Sequence, residues 1–178
     1  MNYWVNIALK YKYLILAFVA FIVLIYLQHK QEKSQEIERQ NIQSIFILEE
    51  AKMKENARSA LHFFQAHGNL PVNPRIQLHI YRNDTLIKWN TNKVPVSNFA
   101  GIQFPTSGLI QLQNGWYYGD VFKKGSDICC ASFCITHEFP YENEFISSQP
   151  NTIFGTGNFN ISLDITRGYP IYNKAKEY

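Results

Sequence analysis

An uninterrupted apolar run near the amino terminus restricts the possible folds of this chain more than any other feature. Residues 13–27 read YLILAFVAFIVLIYL, and no charged residue occurs from Tyr13 to His29 when histidine is counted as neutral. At about 1.5 Å per residue the run covers roughly 22 Å as a helix, short of a hydrocarbon core of about 30 Å. A helix that begins near Ile7–Leu9 closes this gap if the two lysines before the run extend toward the membrane surface. The run therefore predicts a membrane-spanning helix.

The flanking residues favour an uncleaved signal anchor over a cleaved signal peptide. Leu27 is followed by Gln-His-Lys-Gln-Glu, which contains no small-x-small cleavage site. Lys10 and Lys12 precede the run without an acidic neighbour, whereas basic and acidic residues are mixed after it. By the positive-inside rule we expect the amino terminus in the cytoplasm and the remainder outside it. Residues 1–29 are thus predicted to be a cytoplasmic stub and a membrane anchor.

The composition changes after the anchor. Residues 30–60 carry 12 charged side chains out of 31, and residues 61–178 carry only 17 out of 118. Apolar residues then recur at helical spacing from Ile42 to Phe64, and Gly68 follows with Pro71 just beyond as a helix stop. We predict a long juxtamembrane helix over 30–67 that packs its outer half on a domain formed by 68–178.

Residues 68–178 have the sequence pattern of short strands separated by turns. Asn83-Asp84 and Asn114-Gly115 are residue pairs that suit tight hairpin turns. Residues 95–106 and 140–157 are predicted to be loops. The fold class we expect is α+β: a transmembrane helix continuing into a long helix, then a mostly antiparallel sheet of about six strands. The predicted strand segments are Ile76–Arg82, Thr85–Trp89, Leu109–Gln113, Trp116–Lys123, Ile128–His137, Phe159–Ile165 and Tyr169–Tyr172.

Three cysteines invite a metal or redox interpretation, which their spacing does not favour. Cys129, Cys130 and Cys134 form C-C-x3-C rather than C-x2-C, and no further Cys or His pair completes a tetrahedral site. On a strand, Cys130 and Cys134 face one side and Cys129 the other. We interpret them as buried, core-filling residues, and a reactive thiol stays open as the alternative.

The sequence contains no motif that indicates catalysis or nucleic-acid binding. A formal charge of +3, scattered along the chain, does not suggest a nucleic-acid partner. His137-Glu138-Phe139-Pro140 superficially resembles a phosphoacceptor box, but Pro140 obstructs the helix such a box needs. The other histidines do not form an H-E-x-x-H zinc motif, and phosphate-loop and Gly-x-Ser-x-Gly motifs are missing from the sequence. We therefore expect neither catalytic residues nor a metal or cofactor site in these 178 residues.

Aromatic residues in the predicted strands are the remaining candidates for a site. Trp89, Trp116, Tyr117 and Tyr118 could line a ligand pocket, since aromatic rings provide apolar walls with polar tips. Their placement suits a sheet core equally well. We favour the core interpretation and keep the pocket as an alternative.

Three segments carry a resemblance to a known family. They are IYRNDTLIKWNTNKVPV (80–96), LQNGWYYGDVFKKG (112–125) and ITHEFPYENEF (135–145). Together they resemble the extracytoplasmic sensor region of a group of two-component sensor histidine kinases, in which a membrane helix leads into a long helix and a PAS- or Cache-like sheet. The similarity covers roughly residues 10–178. Phe139 stands where the family's "YPYEN"-like loop begins with Tyr, and the rest of that loop matches.

The resemblance implies a function and its partners. It implies a sensor region in the inner membrane with its sheet domain in the periplasm, a homodimer formed through the long helix, an unknown ligand and a cognate response regulator. ATP and Mg²⁺ would belong to a kinase module beyond these residues, and the sheet domain would be incomplete at its carboxyl end. Tyr141, Glu142 and Asn143 become candidates for a ligand or signalling loop, beside Trp89, Trp116 and Tyr118.

Two other classes compete with the sensor interpretation. A stand-alone, membrane-anchored binding or assembly protein needs only an anchor and a domain, both of which are predicted. A pilin-like structural subunit would need a short basic leader ending in Gly and an acid near the start of the apolar run. The sequence has neither feature, so the pilin-like interpretation is the weaker of the two.

Overall fold

The computed structural model describes residues 3–71, 73, 75–96, 107–144, 146–155, 159–164, 166 and 168–175, without the side chains of 3–10. The chain forms two compact units, Met1–Asn41 and Ile42–Tyr178. One helix, α1 (Tyr3–His67), contributes residues to both units. The long helix that the sequence predicts is therefore confirmed, and it includes the start near residues 7–9 that a complete span requires.

The described residues of the first unit, 3–41, are all helical. Its large apolar side chains from Tyr11 to Leu27 are exposed, as expected of residues that face lipid. This helix is long and apolar enough to cross a membrane. Farther along the unit, Arg39 donates to both carboxylate oxygens of Glu36 at 2.9 and 2.6 Å, and Gln40 donates to Glu36 at 2.8 Å. Such i,i+3 and i,i+4 pairs stabilise a helix that has little packing of its own.

In the second unit, α1 packs one stripe of side chains against a sheet. Met53, Ala57, Ala60 and Leu61 on this stripe are almost fully buried, at the three- and four-residue spacing of a helix face. The helix ends where the sequence predicts, because Gly68 adopts φ 72° and donates its amide to the Phe64 carbonyl at 2.7 Å.

The sheet is antiparallel throughout the strands that the structure describes. Its strands are β1 (Gln77–Arg82), β2 (Thr85–Trp89), β3 (Ser107–Leu112), β4 (Gly115–Lys124), β5 (Asp127–His137) and β6 (Gln149–Pro150). Their order is β2-β1-β5-β4-β3, with the two-residue β6 added to β5. The β1–β2 turn has φ of 49° at Asn83 and 62° at Asp84, the left-handed conformation that these two residues tolerate. The predicted α+β class and the antiparallel sheet of about six strands are confirmed.

The carboxyl-terminal segments differ from the prediction. The described residues of the predicted strands Phe159–Ile165 and Tyr169–Tyr172 are irregular, while the short strand β6 lies inside a predicted loop. Local side-chain bonds explain the difference, since Asp164 accepts from the Thr166 amide at 3.0 Å and so competes with a strand ladder. Ile165 and residues 97–106 of the predicted loop lie outside the described residues.

The two faces of the sheet have different partners. One face of the sheet packs against α1 and is called the helix face. Its residues Leu78, Ile80, Phe133 and Tyr118 share one core cluster with the buried stripe of α1. On the far face, two smaller clusters are centred on Tyr81, Ile110 and Cys130, and on Val94, Tyr117 and Cys134. The far face is thus a second buried surface. Buried polar side chains occur on both faces of the sheet.

Candidate functional site

A cluster of charged and polar side chains lies between α1 and the helix face. Glu50 is fully buried, and its Oε1 lies 2.6 Å from the Lys54 ammonium. Tyr118 donates its hydroxyl to the same oxygen at 3.4 Å, and Lys54 also lies 3.7 Å from Asp120 on β4. A buried carboxylate needs such compensation because its charge is otherwise very costly to remove from water. We call these four residues the Glu50 cluster.

The environment of the cluster shifts the pKa values of its members. Burial raises the pKa of the Asp120 carboxyl, and burial likewise raises the pKa of the Tyr118 hydroxyl. Burial alone would lower the pKa of Lys54, but the hydrogen bond and ion pair with Glu50 outweigh it, so that pKa is raised. Lys54 is therefore a firmly charged cation held between two acids on different elements.

The carboxyl-terminal segment is attached to the same side of α1. Gln43 donates its amide to the Tyr172 carbonyl at 2.6 Å and accepts from the Tyr172 amide at 2.8 Å. Two helical turns later, the second oxygen of Glu50 accepts the Lys174 amide at 2.8 Å. The backbone of 172–174 is thus bound by side chains of the helix rather than by a neighbouring strand. We call Gln43 and Glu50 the clasp.

The three cysteines are buried and are not joined by a disulfide, and they alternate across the sheet as predicted. Cys129 belongs to the helix-face core, whereas Cys130 and Cys134 belong to the far-face clusters. Burial raises the pKa of Cys130 and of Cys134 to about 12. The burial of all three side chains in core clusters confirms that they are core-filling residues, and the raised pKa values keep the thiols protonated at neutral pH.

A row of residues with small or neutral side chains crosses the far face. In the sheet register Gln77 on β1 stands opposite Ser132 on β5, Ser132 opposite Gly119 on β4, and Gly119 opposite Gly108 on β3. We call these four residues the small-residue row. Ser132 is completely buried and Gln77 is 7% exposed. In the next row on the same face, burial lowers the pKa of His79 to about 4, so its imidazole is neutral at pH 7.

The aromatic candidates from the sequence lie on different parts of the sheet. Trp89 ends β2, is 47% exposed and donates its indole N–H to Asn92. Trp116 is half-buried on β4 beside a bulge, and Tyr118 is buried on the helix face in the Glu50 cluster. Of these candidates, Tyr118 contacts a buried polar cluster, while Tyr117 packs on the far face.

The loop candidates form their own local structure. Tyr141 is exposed, and Glu142 accepts the Ser148 amide at 2.7 Å. Asn143 accepts the Ile146 amide through its side chain at 2.9 Å. The two hydrogen bonds shape the connection from β5 to β6, and a role for this loop in ligand binding stays a prediction.

Sequence reasoning missed the polar residues that the fold encloses, namely Gln43, Glu50, Gln77 and Ser132. For two of these residues, Glu50 and Ser132, the sequence contains a sign that they are buried. Glu50 continues the apolar stripe of the helix, and Ser132 interrupts the apolar strand ICCASFCI. A polar residue at a position where the period demands an apolar one is a candidate for a buried, partnered group.

Comparisons with known proteins leave the site to be interpreted from its own chemistry. No family model matches the chain, and neither a curated protein nor a solved structure matches it. Among the described residues, no group of three or more His, Cys, Asp or Glu side chains is arranged to hold a metal ion.

Proposed function

We propose that this chain is the sensor region of a membrane-bound two-component histidine kinase, which detects an extracytoplasmic signal and passes it to a kinase module. The observation that carries the proposal is that one continuous helix, α1, combines a segment suited to a membrane with a segment that packs on the sheet. A single helix, Tyr3–His67, contains an exposed apolar segment long enough for a membrane and a stripe buried against an antiparallel sheet. The kinase assignment itself rests on the resemblance of the three quoted segments.

A sensor needs two arrangements of similar free energy that a ligand binds unequally. The Glu50 cluster is a suitable element, because polar contacts between α1 and the sheet can exchange partners at lower cost than a packed apolar core. Lys54 already lies within 4 Å of two carboxylates, Glu50 and Asp120. A change in the sheet that moves Asp120 would redistribute these contacts and shift α1.

The clasp offers a second connection in the proposed receptor. Gln43 and Glu50 hold residues 172–174, the segment through which the chain would continue toward a second membrane span. A shift of α1 would then be transmitted to that segment through three hydrogen bonds. Helix shifts of about 1–2 Å are an established form of switching in proteins.

We further propose that the receptor is a homodimer in the inner membrane, with its amino terminus in the cytoplasm and its sheet domain in the periplasm. The exposed apolar residues Ile37 and Leu48 of α1 are suitable contact positions, each about half exposed. Ile42 packs against the core of its own chain instead. Disulfide crosslinking in membranes of Ile37→Cys and Leu48→Cys should exceed that of Ile42→Cys, and equal or absent crosslinking would argue against the dimer.

The decisive experiment reads the coding frame after Tyr178. A second apolar span, a helical His-Glu phosphoacceptor box and a glycine-rich ATP site would support the kinase proposal, and ATP, Mg²⁺ and a response regulator would then be partners of that module. A stop codon there would refute it and favour a stand-alone anchored binding or assembly protein. Alkaline phosphatase fused after residue 175 tests the orientation independently, since the enzyme is active only outside the cytoplasm.

A further inference from the structure

We propose that residues 171–174 form a strap that opens as one unit while the sheet domain stays folded, and that the ion pair between Lys54 and Glu50 holds it closed. The strap is the segment that the clasp binds. The inference rests on the proposed sensor function only in taking a movement of Asp120 as the event that loosens the ion pair. Opening of the strap can be measured without any kinase module.

The strap is held mainly by side chains of α1. Gln43 accepts the Tyr172 amide at 2.8 Å and donates to the Tyr172 carbonyl at 2.6 Å, and Glu50 accepts the Lys174 amide at 2.8 Å. Ile171 is partly buried against the helix-face core, whereas Tyr172 is 41% exposed. Segments with few buried apolar contacts and exposed backbone hydrogen bonds open locally, at a lower free energy than global unfolding. The strap has both properties.

The residues before the strap are suited to act as its hinge. The described residues 162–164, 166 and 168–169 are all exposed, and they form neither helix nor strand. Gly168 has φ 76°, a conformation that glycine adopts without strain. Hinges are short segments of this kind, which absorb changes of backbone angle when a neighbouring element moves. The strap can therefore move away from α1 without disturbing the sheet.

The closed strap completes the burial of a carboxylate. Glu50 is 0% exposed; its Oε2 contacts the strap, and its Oε1 lies 2.6 Å from the Lys54 ammonium. Three donors bond to Glu50 in the described part of the chain, and of these the Tyr118 hydroxyl and the Lys174 amide are neutral. A buried carboxylate that loses its cation is strongly destabilised, and access to water relieves that cost.

The ion pair therefore controls the strap. While Lys54 contacts Glu50, the buried charge is compensated and the closed strap is favoured. When Lys54 moves away, the carboxylate is more stable in contact with water, which it reaches if the strap opens. Asp120 on β4 lies 3.7 Å from the same ammonium and competes for it. A signal that draws Asp120 toward Lys54 would thus pass from the sheet to the strap through one lysine.

Hydrogen exchange of the full chain in non-ionic micelles measures the opening. Individual amides are resolved by mass spectrometry with electron-transfer fragmentation, at one pH and one temperature. In the parent chain the Tyr172 and Lys174 amides should show similar protection, at least about tenfold lower than that of central β5 amides such as Cys130. The β5 amides also report in every variant whether the sheet domain is folded.

Gln43→Ala tests whether the strap opens as one unit. Gln43 binds Tyr172, whereas Lys174 is bound by Glu50. Loss of the two Gln43 hydrogen bonds should nevertheless speed exchange of both amides about tenfold. Gln40→Ala is the control, since Gln40 is exposed and donates to Glu36 within the helix. Faster exchange at Tyr172 alone would show that the segment frays residue by residue, which contradicts a strap.

Lys54→Met tests the ion pair, because it removes the charge and keeps an unbranched apolar side chain. Both strap amides should exchange at least about tenfold faster, while the β5 amides stay protected. Lys52→Met is the matched control: it breaks the pair with buried Glu49, and the strap amides should stay within about twofold of the parent. In Lys54→Met with Glu50→Gln, a neutral oxygen accepts the Lys174 amide, so strap exchange should return to within about threefold of the parent.

Three further results would overturn the proposal. They are strap amides that exchange as slowly as those of β5, equal effects of Lys54→Met and Lys52→Met on the strap, and failure of the double variant to restore protection. The last would mean that Lys54 acts through packing and not through its charge. None of these results bears on the downstream coding frame, so failure of this inference can be distinguished from failure of the proposed sensor function.

Discussion

The buried imidazole of His79 should make the stability of the sheet domain depend on pH. His79 is 1% exposed, and burial lowers its pKa from 6.5 to about 4. The unfolded chain therefore binds a proton at His79 at a higher pH than the folded chain does. The resulting stability is present above pH 6.5 and is lost as the pH falls from about 6.5 to about 4.

The size of the stability loss follows from the pKa shift of His79. A difference of about 2.5 pKa units at about 1.4 kcal/mol per unit corresponds to about 3 kcal/mol when fully developed. Between pH 7.5 and pH 5, where the folded state still keeps the imidazole neutral, the loss should be about 2 kcal/mol. This is a large fraction of the 5–15 kcal/mol or so that stabilises an ordinary domain.

Urea unfolding of the full chain in non-ionic micelles, followed by tryptophan fluorescence, measures this loss. His79→Gln should remove about 2 kcal/mol of the pH dependence between pH 7.5 and pH 5, whatever its effect on absolute stability. Burial also lowers the pKa of His137, so part of the dependence should remain in this variant. His62→Gln, at an exposed helix position, is the control. An unchanged pH dependence in His79→Gln would refute the reasoning.

Three further predictions concern the backbone, the buried charge and the anchor. Gly115→Ala should destabilise by more than about 3 kcal/mol, because its Cβ would lie 2.1 Å from a carbonyl oxygen of β5; Gly125→Ala, with open space around it, should cost only about 1 kcal/mol in urea unfolding. Glu50→Ala should cost about 3 kcal/mol, because it removes the fully buried carboxylate that Lys54, Tyr118 and the Lys174 amide share, whereas the exposed Glu55→Ala should stay within about 0.5 kcal/mol. Deleting residues 1–29 should move the protein from the membrane fraction to the soluble fraction on centrifugation.

Each of these predictions has a result that would contradict it. Equal losses for the two glycine variants would mean that the close approach at Gly115 relaxes at little cost. A Glu50→Ala variant as stable as Glu55→Ala would show that the buried charge is not needed for stability. Continued sedimentation with membranes after deletion of 1–29 would place the membrane contact elsewhere in the chain.

Much of the local structure could be predicted because its causes lie within a few residues of one another. The apolar run, the helical stripe and the glycine stop define α1 from Tyr3 to His67. The hairpin between β1 and β2 follows from the turn at Asn83-Asp84. The predicted hairpin between β3 and β4 also forms, but its turn is Gln113-Asn114, one residue earlier than predicted, and Gly115 is the first residue of β4. The alternation along β5 likewise assigned Cys129 to one face and Cys130 to the other, because the side-chain period of a strand is two.

The sequence alone determined the apolar helix long enough to cross a membrane, its continuation into a long helix, the hairpins and the α+β class, since these depend on period and on turn chemistry. Only the tertiary structure decided that β5 lies between β1 and β4, which pairs Gln77 with Ser132 and Ser132 with Gly119. It also decided that Glu50 is buried and that residues 172–174 bind helix side chains instead of forming a strand. Which strands and segments meet is set by contacts between residues far apart in the chain, and local patterns contain little information about those contacts.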